Sequence, residues 1–243
     1  MSALALYCLI ADGEQGAEVY SVANDIQQAS ILANEAFAMV EQSPSLLKRL
    51  ELVKSTKRIV YPKNRSVYRA LSSEKSGKHG YNPSVVIYDE VAFARDRELW
   101  DILRYGFATR KQPLLITIST AGYDREGIGY EQYQYAKKVR DNVITDPHFL
   151  PLIFEADPQG DYRDKWQWEK ANPSTFAIKD MSEVIAEVQA EPRKEANARI
   201  LRLNQWWGNA ESWLSTPLWD SCNQPFELDI LDGRDCYVGL DLA

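Results

Sequence analysis

Two neighbouring carboxylates, Asp89 and Glu90, close an apolar run, Val85-Val86-Ile87-Tyr88. A strand apolar on both faces belongs in the middle of a parallel sheet, and its carboxyl end opens on the crevice where ligands bind. An Asp there can hold Mg2+, chiefly through water, because this ion keeps most of its hydration and takes few protein ligands. A Glu beside it can orient or deprotonate an attacking water, so the pair suits hydrolysis of a nucleoside triphosphate. Alone, an apolar strand ending in two acids is common and carries little weight. One helix further on, a second apolar run, Leu114 to Ile118, ends in Ser119-Thr120-Ala121-Gly122. A β-α-β unit sets two such strands side by side, so Ser119 and Thr120 could sense a terminal phosphate. The third candidate is Asp241, which closes Tyr237-Val238-Gly239-Leu240. An Asp at a strand end can ligate the metal of a ribonuclease-H-type nuclease, but two-metal chemistry needs several carboxylates together.

Other chemistries find no support. The pattern GxxxxGK[ST], whose backbone amides cradle phosphates, is absent. The only Gly-Lys pair, Gly77-Lys78, lies in a polar stretch and does not follow an apolar strand. Neither His79 nor His148 has a nucleophile elbow nearby. Cys8, Cys222 and Cys236 are too widely spaced for a disulfide framework and form no zinc-ligand pair with the histidines. They fit a reducing, cytoplasmic compartment. No run of apolar residues is long enough to cross a membrane. The opening MSALALYCLIADG lacks a positive region and reads as a buried helix rather than a signal peptide.

The 243 residues fit one large domain or two small ones, and 45% hydrophobic content is too high for global disorder. The net charge of −7 is unevenly spread. Residues 1–47 contain six acids and no Lys or Arg, whereas residues 48–78 contain ten bases against Glu51 and Glu74. A basic stripe on an acidic protein can attract a polyphosphate backbone, or be a solvated surface balanced by acidic neighbours.

The elements that must position these residues follow from periodicity. Ala3–Ile10 reads as a short apolar helix and Ala17–Ala23 as a strand. A helix capped by Asn24 or Asp25 follows, with Ile26, Ala29, Ala33, Ala36, Phe37 and Val40 at helical spacing. Helix, strand, helix implies an α/β protein with parallel strands. The basic block holds short strands at Ser55–Tyr61 and Ser66–Leu71. Asp96–Phe107 and Tyr130–Arg140 read as helices, and Phe149–Phe154 as a further strand. Residues 157–221 hold six of the seven tryptophans and read as helical, with helices at Ser182–Glu191 and Arg193–Trp207.

The string NPSVVIYDEVAFARDRELWDILRYGFATRKQPLLITISTAGYD (82–124) strongly resembles the large terminase subunit of tailed bacteriophages. Further matches follow in family order: Glu131 to Ala136, Asp146-Pro147, Ala171-Asn172-Pro173-Ser174, Arg202 to Trp206, Trp213-Leu214, Trp219 and Gly239 to Ala243. Upstream, Asp12 to Glu14, Gly16 to Tyr20 and Gln28-Ala29 also fit. The resemblance implies an ATP-driven motor that packages double-stranded DNA into a capsid through a portal, together with a small terminase subunit. It implies an ATPase domain, a ribonuclease-H-like nuclease, and a ring of identical subunits in the cytoplasm of a bacterial host.

Carried over by match, Asp89 is the Mg2+-binding Asp of the Walker B motif and Glu90 the catalytic Glu. Ser119, Thr120 and Ala121 are the motif that couples hydrolysis to movement, and Asp241 is the first nuclease metal ligand. Ser2 aligns with the hydroxyl residue of the phosphate loop, and Met1 stands where its Lys belongs. The resemblance therefore implies an incomplete P-loop ATPase, with its phosphate-loop strand missing and two neighbouring strands unpaired. The implied division is an ATPase domain over 1–213, a linker over 214–235 and a nuclease stub over 236–243. Such a chain alone is expected to hydrolyse ATP poorly. Arg49, Arg58, Arg65 and Arg69 are candidates to reach a neighbouring subunit's nucleotide. Two other readings are a non-catalytic prophage remnant that binds DNA or partners through the basic block, and another P-loop ATPase such as a helicase.

Overall fold

A computed structural model describes residues 1–72, 80–94, 97–178, 181–191, 194–207 and 233. By compactness the chain divides into two units, Met1–Gly208 and Asn209–Ala243. The first is built on one six-stranded sheet. In chain order its elements are α1 (Ser2–Ile10), β1 (Glu18–Ala23), α2 (Ile26–Glu41), a one-turn α3 (Pro44–Leu47), β2 (Glu51–Val53), β3 (Arg58–Tyr61), β4 (Ser66–Ser72), β5 (Val85–Asp89), α4 (Arg97–Gly106), β6 (Leu114–Ile118) and α5 (Ile128–Arg140). Four further helices follow: α6 (Lys165–Ala171), α7 (Pro173–Ile178), α8 (Ser182–Ala190) and α9 (Glu195–Leu201).

The strand order is β2-β3-β4-β1-β5-β6. Strands β4, β1, β5 and β6 are mutually parallel, whereas β2, β3 and β4 form an antiparallel meander. The parallel strands implied by helix–strand alternation are present, and the meander adds an antiparallel part that makes the sheet mixed. The reason lies in the connections: Lys57 and Arg65 adopt positive φ (51° and 62°) after single turns of 3-10 helix. Tight turns reverse the chain, and a parallel pair needs a long crossover instead. The first of these turns, Lys54–Thr56, also takes up the start of the expected Ser55–Tyr61 strand.

Alternation sorts the sheet's side chains into two cores. Val19, Ile59, Tyr68, Val85 and Ile87 pack beneath α1 and α2, whose Leu6, Leu9, Ala33, Ala36 and Val40 are buried. The small residues of α2 let it lie close on the strands. Tyr20, Val22, Val86 and Tyr88 point the other way, against Leu99, Trp100 and Leu103 of α4 and Ile128 of α5. Val85 to Tyr88 are all 0% exposed, as a central parallel strand requires.

The expected Phe149–Phe154 strand is a correction: these residues have no regular structure, and Leu150, Leu152 and Phe154 are exposed. Apolar content favours extended backbone, but a strand also needs a ladder partner. Strand β6 is the last in the sheet and its outer edge has none among the described residues. A third core gathers Ala156, Tyr162, Trp168, Ile185, Val188 and Leu203 from the helices after α5 and their flanking loops. Within it the Trp168 indole N–H donates to the Tyr162 carbonyl at 2.7 Å. No described helix is long and apolar enough to cross a membrane.

Asp25 caps α2 by accepting the Gln27 and Gln28 amides at 2.7 and 2.9 Å. Asp25→Ala is expected to lower unfolding free energy by about 1 kcal/mol, read as a lower urea midpoint with unchanged cooperativity.

Candidate active site

The site is assembled at the carboxyl end of the sheet. In the β5–β6 ladder Tyr88 pairs with Thr117 and Asp89 with Ile118, so Glu90 and Ser119 emerge side by side. Asp89 accepts the Glu90 amide at 3.1 Å through one carboxylate oxygen. Glu90 has left the strand and sits in the left-handed region, φ 54° and ψ 45°, as the cap of a single 3-10 turn over Val91–Phe93. A non-glycine residue pays in strain for this conformation, and such residues cluster at functional sites. The Ser119 Oγ accepts the Ala92 amide at 3.0 Å and so ties the end of β6 to that turn.

The electrostatics of Glu90 follow from this packing. Burial pushes its carboxyl above the usual range, and the Asp89 charge adds to the rise. The Thr120 amide and the Ser119 hydroxyl face the carboxylate and pull the other way. One oxygen, Oε2, is buried without a hydrogen-bond partner among the described residues. A buried carboxylate oxygen left unsatisfied is costly and calls for a donor. A water molecule would supply one, and a carboxylate with a raised pKa is a competent base for it.

The structure thus brings Asp89, Glu90, Ser119 and Thr120 together. Ser2 is the first residue of α1, which packs on the sheet with α2. Its buried hydroxyl donates to the Leu32 carbonyl of α2 at 3.0 Å. Asp241 lies outside the described residues. Among the described residues no three acids, histidines or cysteines converge on a metal position. A single Asp with nearby hydroxyls is a hard-oxygen set that fits a largely hydrated Mg2+.

Two supporting residues had little signal in the sequence. A Cβ on Gly129 would stand 2.4 Å from Ala92 Cα, so α5 reaches the Val91–Phe93 turn only because this residue has no side chain. A Cβ on Gly122 would stand 3.2 Å from Trp206 Cζ3. Trp206 packs edge-on to Tyr130 and against Tyr133, and Arg125 donates to its carbonyl at 3.0 Å. The last residues before 208 therefore rest on the loop that follows Ser119. The motif strings contain Gly122 and Trp206 but not Gly129, and neither spacing nor periodicity reveals these contacts.

Ser119→Ala removes the acceptor of the Ala92 amide and should cost about 1–3 kcal/mol, measured by urea unfolding, while Ser119→Thr keeps most of it. Gly129→Ala should cost a similar amount, about 1–3 kcal/mol, and lift α5 from the turn, which amide exchange at Val91–Phe93 would report.

Comparisons with known proteins agree with this architecture. Residues 1–138 match the family model "Terminase large subunit, ATPase domain", and residues 143–243 match "Terminase large subunit, endonuclease domain". The chain is 30% identical over 234 residues to the large terminase subunit of Enterobacteria phage HK97, covering 94% of this chain and 45% of that protein. It is 26% identical over 171 residues to protein YmfN of Escherichia coli K12, covering 68% of this chain and 37% of that protein. The crystal structure of the HK97 bacteriophage large terminase superposes with a TM-score of 0.73 at 26% identity, over 84% of this chain and 43% of that one. The chain spans less than half the length of each of these relatives.

Proposed function

The chain belongs to the terminase large-subunit family, and we propose that it carries the hydrolytic face of an ATP-driven motor that packages double-stranded DNA. The observation that carries the reading is the Asp89–Glu90 pair at the end of the central strand, with a buried Glu90 oxygen that has no partner among the described residues, beside Ser119 and Thr120. Asp89 would hold Mg2+ and Glu90 would orient and deprotonate the attacking water. Mg2+, when bound with ATP, neutralises phosphate charge. Ser119 and Thr120 would hold the base in place and pass its state to the loop beneath Trp206. None of the described observations favours the non-catalytic or helicase readings over this one.

Phosphate binding is the part these residues do not complete. The 243 residues contain no GxxxxGK, and the Ser2 hydroxyl is engaged by Leu32. Asp241 would serve the nuclease. The ATPase domain is proposed to span 1–213; the compactness of Met1–Gly208, which includes the helices α6–α9, supports the part up to residue 208. DNA, a portal, a small subunit and a ring of copies are the partners this reading calls for.

The test is Mg-ATP turnover by the chain and by a fusion that places an apolar strand and a GxxxxGK loop ahead of Met1. Turnover is expected in the fusion only, and Glu90→Gln should reduce it by about 10²–10⁴-fold with little change in nucleotide affinity. Turnover that survives Glu90→Gln would overturn the assignment.

A further inference from the structure

The basic block is not one uniform surface. Lys54 is paired with Glu41 at 2.5 Å, and the Lys57 ammonium donates to the Asn34 side chain at 2.7 Å. Arg58 and Arg69 differ. They stand directly opposite each other in the antiparallel β3–β4 ladder, and Arg69 pairs in turn with Tyr20 of β1. Side chains alternate along a strand, and Ile59 and Tyr68 face α1 and α2, so both guanidiniums lie on the other face of the sheet. There α4 covers β1 and β5 through Tyr20, Val22, Val86 and Tyr88.

Among the described residues, the buried Nε of each arginine has no hydrogen-bond partner and neither side chain has an ion pair. Like charges directly opposite in a sheet destabilise it, and a buried donor without an acceptor costs more. An anion that joins this pair would therefore offset both costs. The guanidinium fork matches a tetrahedral oxyanion, and two forks side by side can grip one phosphate or two in succession. On a chain of net charge −7, such a local pair must supply attraction that the whole molecule does not.

We propose that Arg58 and Arg69 form a phosphate clamp for the backbone of duplex DNA. The choice of DNA as occupant rests on the packaging reading above. The clamp holds backbone and reads no bases, so it suits a protein that must engage any sequence.

The test is anisotropy of a labelled duplex of about 30 base pairs, titrated with the chain between about 50 and 200 mM salt. Arg58→Gln/Arg69→Gln should weaken binding by about 10-fold or more and lower the salt slope by about 2, since each lost phosphate contact removes roughly 0.9. Lys54→Gln/Lys57→Gln should change affinity far less. The arginine double variant should melt at the same temperature or higher, which separates lost binding from lost fold. Arg58→Lys/Arg69→Lys, which keeps charge but not the fork, should fall between and serves if the Gln variant does not fold. Equal binding by wild type and the arginine variants overturns the clamp, as does failure of the wild type to bind duplex. Competition by a glutamate-rich peptide as effective as that by unlabelled DNA also overturns it, in favour of a carboxylate-bearing protein. These results leave the Glu90→Gln turnover test untouched, so clamp and packaging reading can fail separately.

Discussion

The Ser119 hydroxyl joins the two strand ends on which the candidate site depends. By accepting the Ala92 amide it fixes the turn after β5 to the end of β6, and it faces the Glu90 carboxylate while doing so. Glu90 can then remain in the left-handed region, with its charge partly desolvated next to Asp89. Parallel pairing of β5 with β6 is the precondition, because only parallel strands deliver both ends to the same edge of the sheet.

Close packing carries this local geometry outward. Gly129 lets α5 press on the Val91–Phe93 turn, and Gly122 leaves room for Trp206 over the loop beyond Ser119. Trp206 is anchored from the other side: the Gln205 amide side chain donates to the Asp157 carbonyl at 2.6 Å, and the Ala156 amide to the Leu203 carbonyl at 2.9 Å. A shift of the Glu90–Ser119 pair would therefore meet a packed aromatic side chain tied to the third core. Interiors of this kind are close-packed and transmit strain rather than absorb it.

At the other end of the sheet the antiparallel meander β2-β3-β4 carries the basic block. Its turns give Lys54 an ion pair with Glu41 and Lys57 a hydrogen bond to Asn34, both on α2, and bring Arg58 opposite Arg69 with no ion pair among the described residues. The proposed nucleotide site and the proposed DNA contact thus sit on one sheet, separated by β1.

Residue order alone identified the central strand, its terminal Asp-Glu pair and the hydroxyls after β6, because apolar runs and β-α-β spacing are local properties of the chain. The same holds for α1, α2, α4 and α5, each within two residues of its expected bounds. Only the tertiary structure decided that residues 51–72 fold as an antiparallel meander, that Phe149–Phe154 has no strand partner among the described residues, and that Gly129 and Trp206 support the site. Those outcomes depend on which backbone edge lies beside which, and on distances between residues far apart in the chain. Periodicity encodes the face a residue presents; it does not encode the neighbour that face will meet.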